Sequence, residues 1–174
     1  GVPYRTIPGT HPTKGSYFTR GTSRDEYAVY TEESEHYVKN MQRLEHKWET
    51  MKSRVPAPHF YQEKNVNEYG IIFFGTSIYA AEEAMDILKE EGLAFDAMRL
   101  RAFPFNDEVS NFIKSHKKVF VIEQNRDAQM KSLLVNELSI DPNHMISILN
   151  YDGMPITADF IMSEIKSSLV VQAV

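Results

Sequence analysis

Two short segments contain the residues whose chemistry suggests a ligand site. The first is FFGTS, in which Gly75, Thr76 and Ser77 stand directly before a helical pattern. Free backbone N–H groups at such a helix start can bind a phosphate group. The segment matches neither GxGxxG nor the P-loop pattern, and no basic residue follows it closely. We therefore favour a plain turn in which Ser77 caps the helix, and a nucleotide site is the alternative.

The second segment, VIEQNRD, brings a carboxylate, two amides and a guanidinium to one predicted strand end: Glu123, Gln124, Asn125 and Arg126. Ligands of open α/β sheets lie beyond the carboxyl ends of the strands, so Glu123 is in a suitable place for a poised acid or base. The same residues could instead cap a helix or form hydrogen bonds at an interface. We favour this second interpretation.

Several kinds of catalytic site are excluded. The chain has no cysteine, so it holds no disulfide, no iron–sulfur cluster of its own, no Cys nucleophile and no Cys-based zinc site. No HExxH spacing and no Gly-x-Ser-x-Gly elbow occurs. We therefore assign no metal and no catalytic residue. The six histidines lie at positions 11, 36, 46, 59, 116 and 144.

The opening segment, PGTHPTKGSYFTRGTSRDEY, has neither helical nor strand periodicity. Its cationic side chains, together with Arg5 just before it, alternate with hydroxyls and glycines, a composition that suits contact with an anionic ligand, another subunit or a linker. Because so polar a loop cannot bury itself, we favour packing between subunits. The candidate contact residues are Thr10, His11, Lys14, Arg20, Thr22 and Arg24.

The elements that position these residues alternate from residue 69 onward. Apolar runs predict the strands YGIIFF, LAFDAMRLRAF, KKVFVIEQN and HMISILNYDG, and a helical pattern follows each of them. Asn106 and Thr157 are the expected caps of the second and fourth of these helices. Such alternation predicts a three-layer α/β/α sandwich around a mainly parallel sheet.

A separate helix is predicted from Ser34, its expected cap, to the prolines at 56 and 58. Its apolar residues are spaced alternately by four and three, which produces one narrow stripe: Tyr37, Met41, Leu44, Trp48 and Met51. The stripe suits packing on the chain's own domain, which we favour, or a seam between subunits, which would make a homodimer. The segment VPAPHFYQEKNVNEYG is predicted to be a linker, so we divide the chain near Asn65, into residues 1–65 and 66–174.

The charge is unevenly distributed over a chain whose formal net charge is -5. Residues 1–65 carry 10 Lys and Arg against 8 Asp and Glu, whereas residues 66–174 carry 9 against 16. This balance does not fit a general nucleic-acid binder. No apolar run reaches the ~20 residues of a membrane span, and the start resembles no signal peptide, so we expect a cytoplasmic protein. Because the sequence begins with Gly1 and not Met, we expect a piece of a longer chain.

The residues also resemble a known family. The segment GVPYRTIPGTHPTKGSYFTRGTSRDEYAVYTE is similar to one in the alpha subunits of 2-oxoacid:ferredoxin oxidoreductases, particularly the 2-oxoglutarate type. The segments FFGTSIYAAEEAMDILKEEGLAFDAMRLRAFPF and VFVIEQNRDAQM resemble the domain that follows it, domain II, which has the transketolase C-terminal-domain fold. Arg24 departs from the pattern, since many relatives have His there.

The resemblance implies an enzyme that oxidatively decarboxylates a 2-oxoacid on thiamine diphosphate and magnesium. Electrons would pass through an iron–sulfur cluster to ferredoxin, and the acyl group would be transferred to coenzyme A. The family's Tyr-Pro-Ile-Thr-Pro motif is absent, and the diphosphate and cluster sites belong to the beta subunit. This chain would then be a non-catalytic interface portion that binds no cofactor, with the other alpha-subunit domains and the beta subunit as partners.

Two alternatives stay open. One is a self-standing nucleotide- or coenzyme A-binding module that uses FFGTS and the basic opening segment. The other is the C-terminal domain of a different thiamine diphosphate enzyme, of the transketolase or pyruvate dehydrogenase type. The opening segment disfavours the second alternative, because it is not associated with those families. The 2-oxoacid cannot be inferred, since the substrate pocket would lie outside this sequence.

Overall fold

The computed structural model describes residues 7–15, 21, 23–61 and 67–172. The chain divides into two compact units, Gly1–Val55 and Pro56–Val174. The predicted division near Asn65 falls outside the described residues, so the domains 1–65 and 66–174 stay a prediction. Among the described residues, no helix combines the length and the apolarity needed to span a membrane.

The second unit contains a five-stranded sheet in the order β1-β3-β2-β4-β5. β2, β3, β4 and β5 run parallel, and β1 alone is antiparallel, paired with β3. The predicted mainly parallel sheet is therefore confirmed. The strands are β1 His59–Phe60, β2 Tyr69–Phe74, β3 Asp96–Leu100, β4 Lys118–Glu123 and β5 Met145–Leu149.

β1 corrects the prediction that residues 55–70 form only a linker. His59 and Phe60 lie opposite Arg99 and Met98 of β3, and the Phe60 ring lies 5.9 Å from the ring of Phe112. Prolines are tolerated beside an edge strand, since its outer backbone groups need no partner within the sheet. The proline-rich composition therefore concealed a short strand.

Helices cover both faces of the sheet, as predicted for a three-layer sandwich. The α-helices among the described residues are α1 Ser34–Lys52, α2 Ile78–Glu90, α3 Asp107–Ser115, α4 Gln129–Leu138 and α5 Ala158–Gln172. One buried cluster joins α2 and α5 to one face of the sheet, where Phe73 and Phe120 are its largest side chains. A second cluster joins α3 and α4 to the other face, around Ile72 and Met98. Alternate residues of each strand thus point into different cores.

The predicted helix caps have different outcomes. The cap at Thr157 is confirmed, because its hydroxyl accepts from the backbone N–H three residues later at 3.2 Å. Ser34 as the cap is wrong: α1 begins at Ser34, and the extended residue before it is Glu33. Asn106 does occupy the cap position of α3, but its amide donates to the Glu108 carboxylate at 3.0 Å and caps no backbone N–H.

A hydrogen bond connects the chain after β1 to α2. The Tyr61 hydroxyl donates to Glu82 Oε1 at 2.7 Å. Burial, and then the hydrogen bond to Glu82, raise the pKa of Tyr61 from 10.0 to about 12. The fold therefore favours the neutral phenol, and this contribution to stability is present below pH 10 and is lost as the pH rises towards 12.

A buried polar cluster lies at the amino-terminal end of β3. Asp96 Oδ2 lies 3.1 Å from His116 Nε2, and both side chains are almost fully buried. Asp96 also accepts from the backbone N–H and the side-chain amide of Asn67, at 3.0 and 2.6 Å. His116 Nδ1 lies 2.6 Å from the carbonyl oxygen of Phe112. Both ring nitrogens of His116 thus face acceptors, and the cluster ties β3 to the end of α3 and to the residues before β2.

We expect Asp96→Asn to lower the free energy of unfolding by about 3 kcal/mol, because it removes one charge from a buried, hydrogen-bonded pair. The matched control is Glu68→Gln. Glu68 forms a 2.6 Å ion pair with Lys117, but both side chains are more than half exposed, so little change is expected. Urea unfolding followed by circular dichroism measures both variants. Equal effects of the two substitutions would contradict the structural role of Asp96.

Candidate functional site

The candidate strand ends meet at a topological switch point. β2 and β4 are neighbours in the sheet. The connection after β2 runs to β3 on one side, whereas the connection after β4 runs to β5 on the other side. Connections that leave in opposite directions open a crevice at the carboxyl ends of such neighbouring strands. The turn Gly75–Ser77 follows β2, and residues 124–126 follow β4. The structure therefore brings together the two segments whose chemistry suggested a site.

Gln124 connects the two segments directly. Its Nε2 donates to Thr76 Oγ1 at 2.9 Å and to Ser77 Oγ at 3.1 Å. Ser77 is buried, and its side chain makes no cap hydrogen bond to α2. Ser77 thus occupies the cap position of α2, as predicted, but its hydroxyl accepts from Gln124 and caps no backbone N–H.

Glu123 is fully buried, and its side chain caps α4, the next helix in the sequence. Its carboxylate accepts from the backbone N–H groups of Met130 and Lys131, at 2.7 and 3.0 Å, in the first turn of α4. The Asn125 amide donates to the same carboxylate at 2.9 Å. A negative charge at a helix N-terminus is stabilised by the free N–H groups and the helix dipole. The observed contacts thus fit the favoured capping interpretation of Glu123.

Asn125 and Arg126 also interact locally. Asn125 Oδ1 accepts from the backbone N–H groups of Asp127 and Gln129, at 3.1 and 3.3 Å. The exposed Arg126 guanidinium makes two hydrogen bonds to the Asp127 carboxylate, at 2.7 and 3.2 Å. The hydrogen bond that Arg126 donates to the Asp127 carboxylate raises the pKa of Arg126. These contacts shape the entry into α4.

An open cleft of about 580 Å³ lies beyond the switch point. Two large exposed side chains, Tyr151 and Met154, form part of its wall. No Asp, Glu, His, Lys or Arg lines the cleft, so its surface is neutral, and the phenol of Tyr151 is the one acid–base group in the lining. The lining residues are Thr76, Gln124, Asn150, Tyr151, Gly153, Met154 and Pro155.

The loop after β5 is held by its own polar side chains. Asn150 Nδ2 donates to the carbonyl oxygen of Met154 at 2.9 Å, and Asp152 Oδ1 accepts from the Met154 N–H at 2.9 Å. Gly153 has a φ of +87°, which favours glycine. Tyr151 and Met154 were missed as candidates because neither carries a charge or stands in a recognised motif. The Asn-Tyr-Asp-Gly turn was the available signal for a shaped loop at this edge.

In the first unit, three candidate residues lie in one tight loop. His11 Nδ1 accepts from the backbone N–H groups of Thr13 and Lys14, at 3.2 and 3.0 Å. The Thr10 hydroxyl donates to the carbonyl oxygen of Ile7 at 2.7 Å. The imidazole and the hydroxyl thus stabilise the loop. The candidates Arg20 and Thr22, and also Arg5, lie outside the described residues.

Arg24 belongs to a second tight turn of the same unit. Its Nη1 donates to the carbonyl oxygen of Ala28 at 3.0 Å, and its own carbonyl accepts from Asn40 Nδ2 of α1 at 2.6 Å. The depression around it, about 260 Å³, mixes carboxylates with cations and so suits an anion poorly. Among the described residues, no group of three or more Asp, Glu or His side chains could hold a metal ion.

The central part of the chain matches a known family. Residues 67–159, more than half of the sequence, match the pyruvate:ferredoxin oxidoreductase core domain II family. The chain belongs to this family. The matched range begins just before β2 and ends in the first turn of α5, so it contains the switch point and the cleft. No curated protein matches the chain.

Solved structures have the same fold. A 2-oxoglutarate:ferredoxin oxidoreductase from Magnetococcus marinus, with 2-oxoglutarate, coenzyme A and succinyl-CoA bound, matches with a TM-score of 0.78 and 23% identity. The match covers 93% of this chain but only 28% of that chain. An inactive β4 tetramer of a split-gene transketolase matches 64% of this chain and 41% of its own, with a TM-score of 0.52 and 18% identity.

The alpha chain of a probable 2-oxoacid ferredoxin oxidoreductase from Thermoplasma acidophilum is 28% identical over 66% of this chain and 97% of its own, with a TM-score of 0.45. Of the longer Magnetococcus chain, by contrast, this chain spans little more than a quarter. The predicted resemblance to 2-oxoacid:ferredoxin oxidoreductases and the transketolase-like fold are confirmed by the family match and by the folds of the larger relatives.

In this domain II, the polar groups at the switch point bond chiefly to one another. The carboxylate, the hydroxyls and the amides of the site have partners within the domain. A general acid or base needs an accessible proton acceptor, and the Glu123 carboxylate is not accessible to solvent. The arrangement therefore suits a rigid surface better than acid–base chemistry, and the assignment of the twelve candidate residues as contacts stays a prediction.

We expect Glu123→Gln to lower the free energy of unfolding by about 2 kcal/mol, because an amide nitrogen would face a backbone N–H. Hydrogen exchange should accelerate at Met130 or Lys131, whose N–H groups the carboxylate holds. Glu137→Gln, at an exposed position of α4, is the matched control and should change little. Exchange rates that stay unchanged at both amides would show that the carboxylate is not the cap.

Proposed function

We propose that this chain is the C-terminal, structural and interface portion of the alpha subunit of a 2-oxoglutarate-type 2-oxoacid:ferredoxin oxidoreductase. The observation that carries the proposal is the match of residues 67–159 to core domain II of pyruvate:ferredoxin oxidoreductase. The buried and internally bonded polar groups at the strand ends support a role that does not include catalysis. The open cleft and the exposed side chains around it suit contact with another protein surface.

The complete enzyme would oxidise a 2-oxoacid to an acyl-CoA. The substrate loses its carboxylate as CO₂, two electrons pass to ferredoxin, and the acyl group forms a thioester with coenzyme A. The 2-oxoglutarate and succinyl-CoA bound to the Magnetococcus relative support 2-oxoglutarate as the substrate. Its structure also contains coenzyme A, the proposed acyl acceptor.

The cofactors of such an enzyme do not fit the residues of this chain. An iron–sulfur cluster needs thiolate ligands, and the chain has no cysteine. Thiamine diphosphate needs a magnesium ion on carboxylate or amide oxygens, whereas Glu123 and Asn125 already accept backbone hydrogen bonds. We therefore derive no catalytic step through this chain. Thiamine diphosphate, magnesium and the cluster would be bound by other parts of the enzyme.

The partners follow from this role. They would be the remaining alpha-subunit domains and the beta subunit, with ferredoxin and coenzyme A as partners of the whole complex. A cytoplasmic location fits the chemistry, because ferredoxin and acyl-CoA are used there. The lack of a membrane-spanning helix among the described residues is consistent with it.

The decisive experiment is reconstitution. We expect this chain to bind the remaining alpha domains and the beta subunit from the same genome, produced together. The complex, supplied with thiamine diphosphate, coenzyme A and a viologen dye, should reduce the dye when 2-oxoglutarate is added, and the isolated chain should not. Turnover of pyruvate or a branched-chain 2-oxoacid alone would correct the substrate. Failure of this chain to bind while an intact alpha subunit does would contradict the proposal.

The cleft at the switch point favours one other function, a nucleotide- or coenzyme A-binding module, because ligands of open α/β sheets bind there. We expect titration calorimetry with coenzyme A and adenine nucleotides to show no binding heat at millimolar concentration, since the lining lacks cations. The control ligand is inorganic phosphate at the same concentration. Saturable heat with coenzyme A, and none with phosphate, would support the module instead.

A further inference from the structure

The loop after β5 forms a fixed wall of the cleft at the switch point. Tyr151 and Met154 are 64% and 68% exposed, yet the loop that carries them is held by its own hydrogen bonds. Asn150 Nδ2 donates to the Met154 carbonyl oxygen, and the Met154 N–H donates to Asp152 Oδ1. A surface that is already ordered loses little conformational entropy when a partner docks. The two large side chains are therefore presented at a preformed site.

The composition of the lining is typical of the centre of a protein interface. Such centres are depleted in charged residues and enriched in tyrosine and methionine. Here Tyr151, Met154 and Pro155 provide the apolar part, and no Asp, Glu, His, Lys or Arg lines the cleft. Arg126, which interacts electrostatically with the Tyr151 phenol, is paired with Asp127. The cleft thus offers no free counter-charge to a phosphate, a carboxylate or an ammonium group.

Two polar residues of the lining have hydrogen-bonding capacity left for a ligand. Thr76 Oγ1 accepts from Gln124 Nε2 at 2.9 Å, and its own O–H has no acceptor among the described residues. Asn150 is only 7% exposed. Its Nδ2 donates to the loop, and its Oδ1 accepts from no described residue. Thr76 therefore offers a free donor, and Asn150 a free acceptor.

The side-chain oxygen of Asn150 is open to the cleft. In the part of the chain that the structure describes, the fully enclosed side-chain atoms without a hydrogen-bond partner are Arg99 Nε and Asn106 Oδ1. Asn150 Oδ1 also lacks a partner but is not one of these enclosed atoms. Because Asn150 lines the cleft, its oxygen faces the cleft. A nearly buried polar side chain thus keeps one acceptor available at this site.

A peptide unit matches the free donor and the free acceptor. Its carbonyl oxygen can accept from Thr76, and its N–H can donate to Asn150. A phosphate or a carboxylate has acceptors only, so it would leave the Asn150 oxygen without a donor. Helical peptide units bond to one another, whereas those of an extended segment stay available to a partner. The cleft therefore suits an extended and uncharged peptide better than an anion.

We propose that the cleft binds an extended, uncharged peptide segment from another part of the same enzyme. An apolar side chain of that segment packs on Tyr151 and Met154, and a backbone amide of it bonds to Thr76 and Asn150. The inference rests on the proposed interface role of the chain and names the chemistry of the partner at this site. The match covers only 28% of the Magnetococcus chain, so an enzyme of that size has further polypeptide to supply the segment.

Nuclear magnetic resonance of the ¹⁵N-labelled full chain tests this chemistry without any other subunit. The probes are three acetylated and amidated tripeptides, Ala-Leu-Ala, Ala-Asp-Ala and Ala-Lys-Ala, which differ only in the central side chain. We expect the leucine peptide to shift the resonances of the Asn150 side chain and of Gly153, with a millimolar dissociation constant. This constant should be at least about fivefold lower than those of the charged peptides, which find no counter-charge in the lining.

Matched variants at exposed positions locate the effect. Tyr151→Ala should abolish binding of the leucine peptide, whereas Val170→Ala, at a similarly exposed residue near the end of α5, should not. Thr76→Val removes the hydroxyl donor and should raise the dissociation constant about threefold or more. Thr76→Ser retains the hydroxyl and should preserve the affinity. Circular dichroism should show the same fold for all four variants.

Several outcomes would overturn the proposal. They are equal affinity for the three peptides, no shift with any of them at millimolar concentration, saturable shifts of the same resonances by coenzyme A, and a dimer that Tyr151→Ala dissociates. Reconstitution of the oxidoreductase has a separate outcome. Its failure would remove the interface role but not a measured preference of the cleft, and a cleft without that preference would leave a successful reconstitution intact.

Discussion

A buried carboxylate must be surrounded by hydrogen-bond donors. This requirement applies at both ends of the parallel strands, the carboxyl end of β4 and the amino end of β3. Glu123 ends β4 and accepts from the first turn of α4, while Asp96 begins β3 and accepts from Asn67. An unpaired buried charge would cost several kcal/mol, so each carboxylate dictates where its donors must lie. The placement of α4 and of the residues before β2 follows from these two charges, and apolar packing fills the space between them.

The same requirement explains how a strand end rich in polar residues can use these residues for internal hydrogen bonds. Carboxylates and amides after a parallel strand are also found in enzymes, where some of their hydrogen-bonding capacity stays available to a ligand. Here the donors come from the domain itself, and the exposed part of the cleft is contributed by Tyr151 and Met154. A side chain whose hydrogen bonds are all made within the domain has none left for a ligand. In this domain II, Glu123 makes its hydrogen bonds to Asn125 and α4.

Periodicity made the layered fold predictable, since four strand patterns each followed by a helical pattern allow few topologies. The meeting of Thr76 with Gln124 was predictable too, because parallel strands bring their carboxyl ends to one edge. The hydrogen-bond partner of each polar side chain was not predictable, because the partners lie far away in the sequence. Asp96 and His116 lie 20 residues apart, and nothing in either neighbourhood signals their pairing. The two-residue β1 was not predictable because it has no strand pattern of its own. It is a strand only because it pairs with β3.

β1 also has a consequence for where this domain can be cut. The family match begins at residue 67, but β1 ends at Phe60, before that limit. A shortened chain that started at the family limit would leave one whole side of β3 without backbone partners. Exposed strand edges recruit other strands, so such a chain would tend to aggregate although the whole matched range were present. The range that the family model matches is thus shorter than the sheet, because the open side of β3 is paired with a two-residue strand outside that range.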